Sequence, residues 1–282
     1  MDNFCVFILS HGRADNVVTW ATLDKCGYTG KRYVVIDNED VQADEYVKRY
    51  GDSVLIFDKR EVEKTFDTFD NRDERRTVVF ARNACFDLAK QVGVRYFLEL
   101  DDDYTDFQYR WESGGKLKVA RILDMDRLCK EMISFLDASG ARSVCLAQGG
   151  DFIGGVGNGR FQKGLLRKAM NSFFCCVDRP FQFLGRINED VNTYTLLGSR
   201  GELFFSITRA MLTQIQTQAN AGGMTGCYID GGTYVKSFYT VLCMPSAVRI
   251  MIMGAHHRRI HHSVRWANCV PEIMSERYRK WV

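Results

Sequence analysis

Short apolar runs alternate with helical patterns over the first hundred residues of the chain. Residues 4–9, 32–37 and 53–57 each form a run with the length and apolar character of a buried strand. The segment 76–92 instead carries apolar residues at spacings of three and four, which predicts one buried face of a helix. Strands that alternate with helical crossovers predict an α/β fold with a doubly wound, mostly parallel central sheet flanked by helices.

The second half of the chain is less regular. A glycine-rich segment over 149–159 lacks the ending of a phosphate-binding P-loop, and a mobile loop over a site and a hairpin-rich connection both fit it. The remaining pattern predicts helices over 125–136, 187–201 and 208–223, and strands over 143–147, 171–177, 180–185, 201–207, 238–244 and 247–253.

The stretch YFLELDDDY ends a predicted strand with three consecutive aspartates, Asp101, Asp102 and Asp103, called here the aspartate triplet. Neighbouring carboxylates repel one another, and burial adds to the cost of their charge. A bound cation would explain the arrangement, because Mg²⁺ and Mn²⁺ prefer carboxylate oxygens; a solvated acidic turn is the alternative. Ligands of doubly wound sheets bind beyond the carboxyl ends of the strands. We therefore expect Ser10–His11–Gly12, Asp37 and the triplet to line one edge of the sheet.

Two further polar pairs have both a structural and a functional interpretation. Arg82 and Asn83 lie off the apolar stripe of their helix, as a surface pair or as a pair that faces a ligand and braces the triplet. Glu189 and Asp190 begin a predicted helix, where the helix dipole alone favours acidic residues. The functional interpretation of the second pair is a general base placed opposite a metal.

The C-terminal tail concentrates basic and metal-binding side chains. Imidazoles bind metals readily and guanidinium groups bind phosphate well, so the tail could form a phosphate and metal site that closes over a nucleotide. A solvated basic tail is the alternative interpretation. Four of the five histidines fall in this tail, interleaved with arginines: His256, His257, His261 and His262 with Arg258, Arg259 and Arg265.

Composition narrows the class of protein only modestly. The 282 residues carry a net charge of +3, which permits a polyanionic partner without demanding one. The ten cysteines are scattered, as is typical of a reducing compartment. The N-terminal sequence does not resemble a signal peptide, and no apolar run approaches the ~18 residues that span a membrane. We expect a cytoplasmic protein without a membrane segment.

Three motifs in a fixed order resemble the glycosyltransferases of the GT-A fold. They are ARN on the helix before the triplet, the triplet itself, and NED in INEDVNTYTLLGSRG, while ILSHGR takes the place of the first nucleotide-binding loop. Within that fold, the runs NEDVNTY, GGMTGCYIDGGTYVKSFYT and RIHHSVRW look most like the TET-associated glycosyltransferases of bacteriophages. Members of that family are thought to add sugars to hydroxymethylated pyrimidines in DNA.

The resemblance implies a nucleotide-sugar donor, expected to be a UDP-sugar, and a divalent metal, Mn²⁺ or Mg²⁺. Asp101 and Asp103 would hold the metal, and a late histidine, His261 or His262, would complete its shell. Asp37 would contact the nucleobase, and Lys236 would bind phosphate unless it is a surface lysine. The full expected donor site is Ser10, Arg13, Asp37, Arg82, Asn83, Asp101, Asp102 and Lys236.

The resemblance also implies catalytic roles and a layout. Asp190, with Glu189 beside it, would deprotonate the acceptor hydroxyl of an inverting enzyme, or take another task in a retaining one. One domain over 1–282 is expected, with a nucleotide-binding half (1–103), an acceptor half (104–255) and a tail that closes the site (256–282).

The acceptor is the least constrained part of the interpretation. DNA carrying 5-hydroxymethylcytosine is the leading expectation, and a protein or polysaccharide is the nearest alternative. A metal-dependent nuclease or phosphohydrolase and a non-enzymatic DNA-binding module are alternatives of other classes. For DNA, the basic clusters 160–168 and 258–265 are expected to contact phosphates, and Tyr109, Trp111 or Trp266 to stack on a base.

Overall fold

The computed structural model describes residues 2–73, 75–215, 225–254, 258–269 and 276. The strands are β1 Phe4–Leu9, β2 Lys31–Asp37, β3 Val54–Phe57, β4 Tyr96–Asp101, β5 Tyr104–Ser113, β6 Lys116–Arg121, β7 Ser143–Ala147, β8 Leu165–Leu166, β9 Phe173–Cys176, β10 Phe204–Gln214, β11 Val248–Met253 and β12 Arg259–Val264. The helices are α1 Val18–Lys25, α2 Ala43–Tyr50, α3 Lys59–Glu63, α4 Val79–Gln91, α5 Met125–Ser139, α6 Gly159–Lys163, α7 Glu189–Ser199, α8 Thr225–Cys243 and α9 Trp266–Cys269.

One large mixed sheet organises the chain, in the order β3-β2-β1-β4-β9-β7-β10-β5-β6, with β8 beside β10. Its first four strands are parallel, as the short crossovers predict. Antiparallel pairs appear at β4–β9, β9–β7 and β10–β5, while β10 runs parallel to β7. The predicted fold class, an α/β fold with a mostly parallel central sheet flanked by helices, is confirmed.

Both faces of the sheet are buried along its central strands, such as β1 and β4, which explains why these strands are almost wholly apolar. Along β1, Val6 and Ile8 pack against one layer, together with α1, α2 and α5. Phe7 and Leu9 point to the opposite layer, which contains α4 and α7. The alternation of side chains along a strand therefore supplies two cores from one run of apolar residues.

A single threonine fixes the turn that carries the triplet. The Thr19 hydroxyl donates to the carbonyl of Asp101 at 2.6 Å and accepts from the N–H of Tyr104 at 2.9 Å. The N–H of Thr19 also donates to the carbonyl of Asp102 at 3.0 Å. Because Thr19 is buried in α1, these three bonds hold the turn between β4 and β5 in one conformation.

Three secondary-structure predictions are wrong. Residues 180–185 form no strand, because side chains of other elements take their backbone groups: the N–H of Phe183 bonds Asn83 and the N–H of Leu184 bonds Thr193. Residues 208–214 continue β10 rather than forming a helix, since pairing with β5 and β7 overrides their helical propensity. Residues 216–223 of that predicted helix lie outside the described residues.

The third wrong prediction is the strand over 238–244, which belongs mostly to α8. In this part of α8, Ser237 and Thr240 are buried three positions apart, which is helical spacing. A short apolar run does not distinguish a strand from a helix by itself. The sequence pattern predicts no helix or strand in the tail, whereas its segment 259–264 is β12, which pairs with β11. His256 and His257 lie outside the described residues.

No helix in the described ranges is both long and apolar enough to cross a membrane. The cysteines that the structure describes are all free thiols, and most are buried. Burial raises the pKa of thiols such as Cys85 and Cys175, so these side chains act as small apolar groups in the core.

Candidate active site

A cavity of about 910 Å³ opens at the edge of the sheet where β1, β3 and β4 end. Most of the residues that the sequence selects meet in it, although they come from distant parts of the chain. Its lining includes Ser10, Arg13, Arg82, Asp101, Asp102, Asp103, Glu189, Asp190, Lys236, His261 and His262. Asp37 and Asn83 do not line it.

The three aspartates of the triplet have three different environments. Asp101 ends β4, and its two carboxylate oxygens accept from Arg82 at 2.9 Å and from the Tyr104 hydroxyl at 3.1 Å. Its side chain is 29% exposed, so it is paired on one side and open to the cavity on the other.

Asp102 is held inside the protein by the first loop. The Ser10 hydroxyl donates to one of its oxygens at 2.6 Å, and Arg13 donates to the other at 2.8 Å. The Tyr46 hydroxyl lies 2.7 Å from the Ser10 hydroxyl and continues the network towards α2. Asp102 therefore joins the β1 loop to the triplet, although the resemblance leaves this middle position free.

Asp103 has no cationic partner among the described residues. Partial burial and the charges of Asp101 and Asp102 raise the pKa of its carboxyl to about 7. A divalent cation at this carboxylate would offset both costs.

The donor set fits an ion that is only partly held by protein. Within the described ranges, no group of three or more His, Cys, Asp or Glu side chains is arranged to hold a metal. Mg²⁺ in nucleotide sites is usually bound by one or two carboxylates, with phosphate and water oxygens filling the other positions. Asp103 with the open side of Asp101 matches that kind of site.

Arg82 connects the triplet to the start of α7. Its guanidinium is 2% exposed and donates to Asp101 at 2.9 Å and to Glu189 at 3.0 Å. A third carboxylate, Glu99, lies 3.7 Å from Nη1 of the same arginine. One cation thus stands among three acids in a nearly dry interior.

Glu99 is a polar residue that the sequence analysis missed. It is fully buried, and neither of its carboxylate oxygens has a hydrogen-bond partner among the described residues. Burial raises its pKa to about 8 despite the nearby Arg82, so at neutral pH this carboxyl is largely protonated. The signal was present, because a glutamate in the apolar strand YFLEL needs a partner or a proton.

The acidic pair Glu189 and Asp190 lies at the N-terminus of α7, facing the cavity. Burial raises the pKa of both carboxyls, and the negative charge of its neighbour raises that of Glu189 further. Glu189 is bound to Arg82, whereas one Asp190 oxygen accepts from the N–H of Val191 at 2.7 Å. A carboxylate with a raised pKa at a cavity wall is suited to accept a proton near neutral pH.

Two features of the loop before α7 fix the position of Glu189 and Asp190. Asn188 precedes α7 with a left-handed conformation (φ 57°), and its side chain donates to the carbonyl of Lys236 at 2.7 Å. Gly185 has φ 78°, and a Cβ there would lie 2.5 Å from the amide nitrogen of Asn192. The loop before α7 is therefore fixed by close packing as well as by hydrogen bonds.

Asp37 occupies a different position from the one expected. It is 3% exposed and is covered by two cationic side chains, with His11 Nδ1 at 2.8 Å and Lys59 Nζ at 2.9 Å from the same oxygen. The hydrogen bond to Asp37 raises the pKa of His11, although burial opposes it. His11 and Lys59 line the cavity in place of Asp37. The sequence places His11 at the sheet edge but assigns it no role, and nothing in it singles out Lys59.

Asn83 serves the packing of the chain. Its amide donates to the carbonyl of Phe183 at 3.0 Å and accepts from the N–H of Phe183 at 2.8 Å. This two-bond contact fixes the irregular segment 180–184 against α4 and uses both ends of the side-chain amide.

Lys236, on α8, lines the cavity together with His261 and His262, on β12, and its charge acts on Asp190 and Glu189. The imidazole centroids lie 4.3 Å apart, and Nδ1 of His262 is buried without a partner among the described residues. Burial and the positive charges nearby lower the pKa of both histidines, to about 4 for His262. Neutral imidazoles are the form that binds metal.

The wall beside α7 combines cations with an aromatic pair. Arg160, Lys163 and Lys168 come from the glycine-rich segment and the residues that follow it. Trp266 stacks on Tyr194 with centroids 5.6 Å apart and ring planes 11° apart. All of these side chains line the same cavity as Asp190. Tyr109 and Trp111 do not line it and lie on β5 instead.

Solved structures with related folds are distant from this chain. S. aureus TarS (residues 1–349) shares 12% sequence identity, with a TM-score of 0.41 over 74% of this chain and 59% of that one. Glucosyl-3-phosphoglycerate synthase from Mycobacterium tuberculosis, in complex with Mn²⁺, UDP and phosphoglyceric acid, shares 7% identity, with a TM-score of 0.43 over 93% of this chain and 87% of that one. The chain thus spans about three fifths of the TarS fragment, and likeness at this level assigns no substrate.

No curated protein matches the sequence of this chain. The family model described as TET-Associated Glycosyltransferase matches residues 4–223. This match covers most of the chain, including the triplet, the Arg82 helix and the start of α7, so the chain belongs to the TET-associated glycosyltransferase family.

Proposed function

We propose that this glycosyltransferase moves a sugar from a UDP-sugar to the hydroxyl of a hydroxymethylated pyrimidine, 5-hydroxymethylcytosine in phage DNA, in the host cytoplasm. The observation that carries the proposal is the single cavity that unites the aspartate triplet with Glu189 and Asp190. The cavity offers carboxylates for a metal-bound diphosphate and, joined to them through Arg82, an acidic pair with a base for an incoming hydroxyl.

The donor end is supported by the chemistry of the triplet. Asp103 and Asp101 would hold Mn²⁺ or Mg²⁺, with phosphate and water oxygens in the other positions, because the described residues do not bring His261 or His262 into a group of three ligands with them. When bound, such an ion neutralises the charge that develops on a leaving diphosphate. Lys236 lies on the same wall as the two histidines and is a candidate for the phosphates.

Asp190 is the proposed general base, which makes the enzyme inverting. Its pKa is raised by burial, and one of its oxygens is fixed by the N–H of Val191 while the side chain lines the cavity. Glu189 is tied to Arg82 and is better placed to hold that guanidinium than to accept a proton. Proton removal by one base of this kind typically contributes ~10²–10⁴-fold to the rate.

The first test measures the reaction itself. The protein is incubated with Mn²⁺, a panel of nucleotide sugars and DNA with or without 5-hydroxymethylcytosine, and both released nucleoside diphosphate and the mass of the DNA are measured. We expect one UDP-sugar to react, with a mass gain of one hexosyl or related unit per modified base. Asp103→Ala should abolish the gain.

The controls separate the acceptor from the donor. Lys130→Ala changes an exposed lysine on α5 that does not line the cavity, and it should react like the unmodified protein. UDP release without any gain in DNA mass would move the acceptor to a protein or polysaccharide. Absence of release from every donor would contradict the proposal as a whole.

A further inference from the structure

The acceptor side of the cavity contains an aromatic ring and cations arranged around Asp190. Tyr194 lies four residues after Asp190 on α7, so the two side chains share one face of the helix. Trp266 stacks on Tyr194 and keeps 39% of its surface exposed, whereas Tyr194 keeps 6%. The indole of Trp266 is therefore an accessible aromatic surface stacked on Tyr194, which lies about one helical turn from the proposed base.

Positive charge borders the same aromatic pair. Arg160 is 62% exposed at its side chain and lies 3.8 Å from the nearly buried Asp151, which already binds Lys168 at 2.5 Å. Lys163 is exposed, and no described acidic side chain pairs with it. Asp151 and Arg160 are also close enough to shift the pKa of Tyr194, which sets this wall beside α7. Arg160, Lys163 and Lys168 thus bring three cations to this part of the cavity, and Asp151 forms described ion pairs with Arg160 and Lys168.

The size of the cavity limits how an acceptor can enter. A volume of about 910 Å³ is that of a small-molecule pocket. The cavity-lining Asp190 is only 9% exposed. A base stacked inside a duplex does not reach a carboxylate that is this deeply placed. Enzymes that act on a base within DNA generally extrude it from the stack and bind it against aromatic side chains.

We propose that Trp266 is the stacking platform for an extrahelical acceptor base and that Arg160 and Lys163 bind the phosphates that flank it. The subsite takes a single nucleotide rotated out of a DNA strand, with its hydroxymethyl group directed to Asp190. This inference rests on the proposed function, because it names how the DNA acceptor of that reaction is held. Among the aromatic residues that the sequence offered for stacking, only Trp266 lines the cavity.

The test uses the full-length protein with its UDP-sugar donor and matched DNA. One oligonucleotide carries 5-hydroxymethylcytosine next to 2-aminopurine, whose fluorescence rises when the neighbouring base leaves the stack. Trp266→Ala should raise the KM for DNA roughly 10- to 100-fold and remove the fluorescence rise, while the KM for the donor stays unchanged. Trp266→Phe, which keeps a ring, should restore most of both signals.

The cationic wall has its own readout. Lys163→Ala should make the dependence of log K on log [salt] shallower by about one unit, because one phosphate contact is lost. Trp111→Ala and Lys130→Ala are the matched controls, since both side chains are exposed and lie outside the cavity. Neither should change the KM for DNA or the salt slope.

Three results would overturn the inference. An unchanged KM and fluorescence rise in Trp266→Ala would exclude the platform while leaving the glycosyltransferase proposal intact. An equal loss in Trp111→Ala would place stacking on β5 instead. If the unmodified protein transfers sugar to no hydroxymethylated DNA, the proposed function fails first and the subsite fails with it.

Discussion

The Nε of Arg82 donates to Oε1 of Glu189 at 3.0 Å, across 107 positions of sequence. The same guanidinium binds Asp101, so one side chain fastens the strand that ends in the triplet to the helix that begins with the acidic pair. The rings of Phe173 and Phe183 lie against it, at 4.8 and 5.8 Å from Cζ, and exclude water. The triplet and the acidic pair therefore share one buried support.

Replacing Arg82 by Ala is expected to destabilise the fold by about 3–5 kcal/mol, because it leaves buried carboxylates without their cation. Arg82→Lys keeps the charge but not the two-pronged geometry, so it should lose less stability while still misplacing Glu189. Urea unfolding of both variants measures the difference. Equal stability of all three proteins would contradict the buried role of this arginine.

Asp190→Asn should lower kcat by about 10²–10⁴-fold, because the amide cannot accept the acceptor proton. UDP binding, measured by calorimetry, should stay the same, since the substitution preserves the shape of the side chain. Glu189→Gln is the comparison, and it should perturb unfolding more than Asp190→Asn because it weakens the bond to Arg82. A larger kcat loss in Glu189→Gln than in Asp190→Asn would make Glu189 the general base and leave Asp190 with the structural role.

Asn83→Ala should behave as a stability variant. Both backbone bonds to Phe183 disappear, and the buried groups left unpaired cost about 1–3 kcal/mol each. At a temperature where the variant is fully folded, the KM for the donor should match that of the unmodified protein. A raised donor KM without loss of stability would return Asn83 to the donor site, as the sequence pattern suggested.

The contact between His11 and Asp37 should make stability depend on pH in a defined window. The pKa of His11 is raised in the folded protein, so its contribution is fully present below about 6.5 and is lost as pH rises through the folded value. Asp37, whose pKa is lowered by His11 and Lys59 despite burial, stays ionised throughout that window.

Unfolding of His11→Gln checks this dependence. The difference in unfolding free energy between the two proteins should shrink as pH is raised above 6.5. In an Asp37→Asn background the pH dependence of the difference should be weaker, because only Asp40, 3.6 Å from the imidazole, then remains as a carboxylate partner of His11. A pH dependence of unchanged size in that background would assign the effect to another group.

Gly185→Ala should destabilise the loop before α7 for two separable reasons. The backbone is left-handed there, and the new Cβ would approach Asn192 to 2.5 Å and Phe69 to 2.7 Å. Gly93→Ala is the matched control, since Gly93 has a similar φ of 72° but no heavy atom within 4 Å of the added Cβ. Chemical unfolding should show about 1–2 kcal/mol for Gly93→Ala and a larger loss for Gly185→Ala.

The core of the parallel half was predictable because β1 and β4 are buried on both faces and α4 keeps a regular apolar stripe. The triplet stood out for a similar local reason, since three adjacent carboxylates at the end of a buried strand repel one another and burial raises the cost of their charge. The bounds of β4, which ends at Asp101, agree with that pattern.

What the sequence missed depends on distant contacts. Residues 208–214 have helical propensity, but hydrogen bonding to β5 and β7 makes them part of the strand β10. Asp37 follows a strand, as expected, yet His11 and Lys59 cover it and take its place at the cavity. Neither local propensity nor motif order contains the information that Asn83 meets Phe183, or that Trp266 rather than Trp111 reaches the site.

The three aspartates of the triplet look like one repeated letter, but they are not interchangeable. Asp102 accepts hydrogen bonds from Ser10 and Arg13. Asp101 instead accepts them from Arg82 and Tyr104. A motif search that accepts any residue at the middle position would therefore gather chains that lack the link to the first loop. In this chain the useful signature is longer: a serine and an arginine three residues apart after the first strand, paired with an aspartate 92 positions after the serine and 89 after the arginine.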